Sequence, residues 1–357
     1  MNKVAYLIIF AVFLFTACSK DGSNEPEIVD ETPIVKGESS YIVLKEVNIT
    51  YAEGLIHDEF STSAFATPLK LDVYYPDNNS TNRPVFMFIH GGGFTSGVKD
   101  GPEMVEMANY YASRGWVFFS IDYRTTEELG DVQQGMTQDE ILTYYKGTAP
   151  QEWIDTTIQG AQSIDNLKQG IAMYMAQRDS KAALRWIVAH SDIYKINTDY
   201  ITVGGNSAGA ISTIALGISN LEDFRDEIPI SDDPTLSSTN LNEIYNVRSM
   251  VYFWGSNAKL DLYEKVYGLE QYDRYDVNDP ELFMGHGQAD DPQTPYAEAL
   301  ELDSIYNSLG IYSELKTLLL PGGAEAGHGA WTGEVDGKGL FEMSFDFLVN
   351  RQNLILE

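Results

Sequence analysis

YITVGGNSAGAISTIALGIS, residues 200–219, is the stretch on which the fold turns. A β-branched apolar run closes on Gly204 and Gly205, and small apolar residues then continue from Ala208 with no room for a connecting loop. This pattern predicts a buried strand that turns directly into a helix at Gly205-Asn206-Ser207-Ala208-Gly209. So tight a turn strains the serine backbone, and the flanking glycines relieve the crowding. The hydroxyl is then presented above the sheet at a helix N-terminus. A Gly-X-Ser-X-Gly match alone says little. Between a strand and a helix, it makes Ser207 a candidate nucleophile.

Outward from this turn, short and nearly continuous apolar runs recur: VFMFIH (85–90), WVFFSIDY (116–123), MVYFWG (250–255), LFMGHG (282–287) and LKTLLLPG (315–322). Such runs belong to parallel strands covered on both faces by helices. Helical patterns separate them, as in PEMVEMANYYASRG, where Met104, Met107, Ala108 and Tyr111 recur at three- and four-residue steps before Gly115. YIVLKEVNITY and LKLDVYY alternate with period two, as half-exposed antiparallel strands do. The whole predicts an α/β protein: a mostly parallel, doubly wound sheet of about eight strands with helices on both faces. Residues 125–162 and 220–248 exceed ordinary connections and are expected to be cap insertions over one catalytic domain spanning 41–357.

A serine hydroxyl needs a base, usually histidine. Of the five histidines, His57 lies in the entry strands, His90 precedes a glycine run, His190 ends a helix and His286 closes a strand. His328, in AGHGAW after the last strand, alone fits the chain order serine, acid, histidine. The acid belongs on the loop after the preceding strand, where HGQADDPQTPY offers Asp290 and Asp291. Counting back from Pro295 favours Asp291. Counting from the strand end favours Asp290, and because a strand end fixes geometry more firmly than a loop, Asp290 is the expected acid. The oxyanion donors are expected to be the N–H groups of Gly92, Gly93 and Ala208. The first two lie in His90-Gly91-Gly92-Gly93-Phe94, directly after a strand.

With 23 Lys+Arg against 53 Asp+Glu, the formal charge of -30 repels nucleic acid and anionic lipid headgroups. Lys3 followed by AYLIIFAVFLFTA (5–17) has the make-up of a signal peptide and is too short for a comfortable membrane span. LFTAC resembles the lipobox of bacterial lipoproteins, which implies lipidation at Cys18, the chain's only cysteine. With no second cysteine, an intramolecular disulfide or multi-thiolate metal site is not expected. Residues 18–40, acidic and broken by Pro26 and Pro33, are expected to be a flexible tether, placing the domain at the cell envelope.

LKLDVYYP, VFMFIHGGGF, FFSIDYR, DSKAALRWI, VGGNSAG, HGQADD and GHGAW occur together in an order that resembles bacterial carboxylesterases of the α/β-hydrolase superfamily. Both the hormone-sensitive-lipase-like and the feruloyl- or acetyl-xylan-esterase-like branches share it. The resemblance covers about residues 41–345 and implies a cofactor-free hydrolase of small-molecule or polysaccharide-linked esters, its triad carried by Ser207, Asp290 and His328. The insertion at 125–162 is longer than those enzymes usually carry. Two other readings share the fold: a peptidase, and a non-catalytic surface binding protein. The first normally needs a device for peptide termini, of which there is no clear sign; the second usually loses a triad member.

Overall fold

The computed structural model describes residues 32–357, less 60, 62, 132–134, 268–273 and 290. The signal segment, Cys18 and the tether up to residue 31 therefore lie outside the described residues. The rest of the expected tether is folded. β1 (Ile34–Val35) pairs in parallel with β12 (Ile355–Leu356), and Val35 is fully buried. Residues 34 and 35 thus already belong to the folded domain, because Val35 finds its partner strand in residues 355–356.

The main sheet has eight strands: β2 (Val43–Ile56), β3 (Phe65–Pro76), β4 (Arg83–Ile89), β5 (Val117–Ile121), β6 (Ile196–Asn206), β7 (Val247–Phe253), β8 (Glu281–Gly287) and β9 (Ser313–Leu318). Their spatial order is β2-β3-β5-β4-β6-β7-β8-β9. β2 and β3 join antiparallel, as does β3 with β5; every other neighbouring pair is parallel. Period-two geometry divides each central strand between two cores. Val85, Met87 and Ile89 of β4 and Val117, Phe119 and Ile121 of β5 face one core, while Phe86, Phe88 and Phe118 face the other. On the second face lie α1 (Pro102–Ala112) and α9 (Leu340–Arg351). On the first lie α4 (Ile164–Ala189), α6 (Ala208–Ile218) and α8 (Tyr296–Leu309). Burying one such aromatic or aliphatic side chain contributes roughly 1.5–3 kcal/mol, which is why both faces are covered. The doubly wound sheet expected from the apolar runs is present.

The first insertion contains α2 (Gln138–Tyr144) and α3 (Gln151–Gly160), and leads into α4. α4 is unusual in burying Gln177, Arg178, Asp179, Ser180, Lys181 and Arg185 together. Each charge finds a partner on a surrounding segment. Arg124 donates from Nε and Nη2 to Asp179, and its Nη1 bonds the Leu55 carbonyl at 2.9 Å. Arg178 reaches Asp233 at 2.6 Å, Lys181 the Asp223 carbonyl at 2.9 Å, and Arg185 the Thr239 carbonyl at 2.7 Å. Burial pulls the Lys181 ammonium down to about 8. Removing one partner of a buried pair such as Arg124–Asp179 typically costs about 3–5 kcal/mol. α4 therefore clamps the start of the first insertion and most of the second, drawing both onto its own flank.

Candidate active site

Between β6 and α6 the chain reverses at one residue. Ser207 has φ 53° and ψ −120°, a region that costs a non-glycine residue on the order of 1–3 kcal/mol. The N–H of Ser207 is tied to the Phe253 carbonyl at 2.9 Å, and its own carbonyl accepts from Ala210 and Ile211 at 3.0 and 3.1 Å. Gly209 must be glycine, since a Cβ there would stand 2.0 Å from the Ile89 carbonyl oxygen. The strained serine is thus held by β7 and its own helix, with β4 packed close against Gly209.

The loop after β4 is built so that two N–H groups are left over. A trans peptide points its C=O and N–H in opposite directions, so anchoring one aims the other. The Gly91 carbonyl accepts from His90 Nδ1 at 2.7 Å, which turns the Gly92 N–H the opposite way. The Gly92 carbonyl accepts from Thr95 N at 3.0 Å and Thr95 Oγ1 at 2.9 Å, which does the same for the Gly93 N–H. Gly92 has φ +123°, and a Cβ there would meet the Ser96 carbonyl oxygen at 1.8 Å. Burial lowers the His90 pKa, so the ring is neutral and Nδ1 carries the donating proton. Asn206 ties the loop to the turn by accepting from Gly91 N at 3.0 Å. Gly92 and Gly93 open onto the same cleft as Ser207, and Ala208 begins α6, where helical N–H groups lack intrahelical partners. Of the three expected oxyanion donors, Gly92 and Gly93 therefore line the cleft of Ser207, and Ala208 follows that serine in the chain.

His328 also lines this cleft of about 550 Å³, with Asn206, Trp254, Asp291, Gln293 and Gly329. Its Nδ1 lies 2.8 Å from Asp291 Oδ2 and 2.8 Å from Thr294 Oγ1, and the Thr294 hydroxyl donates to that same carboxylate oxygen at 2.8 Å. With acceptors on its Nδ1 side, the ring carries its proton there and leaves Nε2 with a free lone pair. The carboxylate at the histidine is that of Asp291. Asp290, the expected acid, lies outside the described residues, and the assignment moves one position along the chain. The physical reason is the loop: Asp291 Oδ1 accepts from Gln293 N at 2.8 Å, curling the chain so that residue 291 turns toward His328. Burial works to raise the Asp291 pKa, but the Gln293 N–H, the Thr294 hydroxyl and His328 outweigh it and hold it below the ordinary aspartate value. The other histidines are placed elsewhere. His57 stacks on Tyr144, His190 stacks on Trp186, and His286 is buried with Nδ1 on the Gly287 carbonyl.

Ser207 and His328 line the cleft together without a hydrogen bond between them. Two contributors escaped the sequence reading. Thr294 braces both acid and base, and only its place one residue before Pro295 hints at it. Asn206, the variable residue of the turn motif, fastens the glycine loop. Trp254 packs in the interior and borders the cleft as well. It is fully buried, its ring 5.0 Å from Trp331 and 6.4 Å from His328, edge to face with both. Among the described residues, neither expected cap insertion lines the cleft; the second is held to α4 by Asp233 on Arg178 and by the Thr239 carbonyl on Arg185.

The family model described as BD-FAE matches residues 71–139, which hold β4, the glycine loop and β5. Mouse carboxylesterase 1C is 26% identical over 227 residues, 61% of this chain; the chain spans about a third of that relative's length, 34%. Esterase 2 of Thermogutta terrifontis with butyrate bound superposes with a TM-score of 0.54 at 19% identity, over 85% of this chain and 93% of that one. A truncated carbohydrate esterase from gut microbiota gives 0.53 at 16% identity, over 90% of this chain and all of that one, 100%. Taken with the sheet order, these similarities show that the chain has the α/β-hydrolase fold and is similar to esterases that share it.

Proposed function

We propose that this protein is a serine carboxylic-ester hydrolase acting on short acyl groups carried by carbohydrate or other bulky polar alcohols. The observation that carries the reading is the shared cleft. A serine strained at φ 53° faces it, together with a histidine whose Nδ1 is tied to the Asp291 carboxylate. His328 Nε2 takes the Ser207 proton as Oγ bonds to the ester carbonyl carbon, and the oxyanion falls to the N–H groups of Gly92, Gly93 and Ala208. Each such donor is worth about 3–4 kcal/mol in the transition state. The carbon–oxygen bond to the alcohol then breaks, and the imidazolium gives its proton to the departing oxygen. Water, deprotonated by the same nitrogen, attacks the acyl-enzyme and frees the acid and Ser207.

Small Gly92, Gly93 and Gly329 beside Gln293 suit a bulky alcohol, and buried Trp254, packed on half-buried Trp331, forms a wall that suits a short acyl chain. Butyrate in the Thermogutta esterase and the carbohydrate esterase neighbour support the same choice. Aryl esters of rising chain length test it, beside acetylated and feruloylated oligosaccharides and an aminoacyl anilide. The value of kcat/KM is expected to fall about tenfold or more from butyryl to decanoyl esters. Acetylated sugar should be turned over and the anilide left intact. A decanoyl optimum with inert sugar esters would sink the substrate assignment.

From the sequence pattern we also take Cys18 to be lipid-modified and the protein to be anchored at the cell envelope. Cys18→Ser is expected to shift it from the membrane to the soluble fraction; unchanged membrane retention would remove the anchor.

A further inference from the structure

Phe94 follows the two oxyanion glycines and is itself strained: it is buried, it is not glycine, and its φ is +61°. Left-handed backbone costs such a residue on the order of 1 kcal/mol or more, so something must hold it there. A flip of the Gly93–Phe94 peptide would relieve it, because that motion changes Gly93 ψ and Phe94 φ together. One contact opposes the flip, and a second holds the peptide that follows. Gln169 of α4 donates from Nε2 to the Gly93 carbonyl at 2.7 Å, and Thr126 N donates to the Phe94 carbonyl at 2.9 Å. Both come from the first insertion or the helix it feeds. Beside Gln169, the Trp153 indole N–H of α3 bonds the Gly170 carbonyl at 2.8 Å, and Gly170 lies so close to Thr157 that a Cβ would meet its methyl at 2.4 Å.

We propose that Gln169 is a positioning residue for the oxyanion loop: its amide holds the Gly93–Phe94 peptide in its strained orientation and couples the first insertion to catalysis. The insertion then serves the reaction without touching the cleft. Gly93 is the hinge of the device, since its N–H faces the developing oxyanion while its carbonyl is held by Gln169. This inference rests on the serine-hydrolase reading of the cleft.

Gln169→Met keeps the length of the side chain and removes the donor, whereas Gln169→Lys keeps a donor of similar reach. With p-nitrophenyl butyrate, Gln169→Met is expected to lower kcat and kcat/KM alike by about 10- to 100-fold with KM little changed, the pattern of a contact that matters in the transition state. Gln169→Lys is expected to recover most of that loss, and the thermal midpoints of both variants should match the parent. Wild-type kcat in Gln169→Met overturns the proposal. So do equal losses in both variants accompanied by equal falls in midpoint, which mark plain structural damage. Fluorophosphonate labelling mapped by peptide analysis is run on the same samples. Label on Ser207 with an unimpaired Gln169→Met overturns the positioning role alone. Label elsewhere overturns the nucleophile assignment and this inference with it.

Discussion

Ser207→Ala is expected to lower kcat for an aryl ester by about 10⁶-fold, because in a triad acting as a unit the loss of the nucleophile removes nearly everything the three residues supply together. A residue of activity about 10³–10⁴ above water should survive, since the glycine loop and the Ala208 N–H would still polarise a bound carbonyl. The same position carries a second signature. Alanine keeps the Cβ and hence the strain at φ 53°, so the melting temperature should stay where it is. Ser207→Gly removes that strain, and is expected to be as inactive as alanine yet more stable by up to about 1 kcal/mol. Inactivity joined to a gain in stability is what a residue strained for catalysis produces. Near-normal turnover by Ser207→Ala in purified protein would end the proposed chemistry, whatever the melting curves show.

How much of this was legible in the residues follows from how each feature is encoded. The sheet was readable because parallel strands covered on both faces leave continuous apolar runs, and Phe86 and Phe88 facing one core while Val85, Met87 and Ile89 face the other is such a run seen from the side. Ser207 was readable because its turn needs glycine on both flanks, and His328 because chain order eliminated its rivals. The acid was not readable. Adjacent aspartates differ only in which way a loop turns, and that is decided by the Gln293 N–H and the Thr294 hydroxyl, neither of which marks itself in a sequence. The end of the tether was hidden for a different reason: Val35 pairs with Leu356, a partner more than three hundred residues away. The attachment of the insertions was hidden as well: Asp233 of the second answers Arg178 buried on α4, and Trp153 of the first bonds the Gly170 carbonyl of that helix. A helix carrying Arg178, Asp179, Lys181 and Arg185 in its interior reads as an exposed one until its partners are in view.

Asp291→Asn is expected to lower kcat by about 10⁴-fold while Asp290→Asn leaves it within about threefold, and the contrast decides the acid. The loss would come from the tautomer. With its oxygen in the place of Oδ1 an asparagine still accepts from Gln293 N, but its amide nitrogen then takes the place of Oδ2, facing Thr294 and His328, and donates to Nδ1. The ring proton is driven to Nε2, where it blocks the lone pair that must receive the Ser207 proton. Folding should be little affected, because the Gln293 hydrogen bond that curls the loop survives. The pH dependence sharpens the test. The Asp291 pKa lies below the ordinary 3.8, so its charge, and the stability and orientation that go with it, are fully present above that value and are lost only as pH falls through the depressed one. The gap between parent and Asp291→Asn should therefore hold from neutral pH down to about pH 4, with no closing step in the range where an unperturbed carboxylate titrates. A gap that closes near pH 5, or a larger loss from Asp290→Asn than from Asp291→Asn, would return the role to the neighbouring residue.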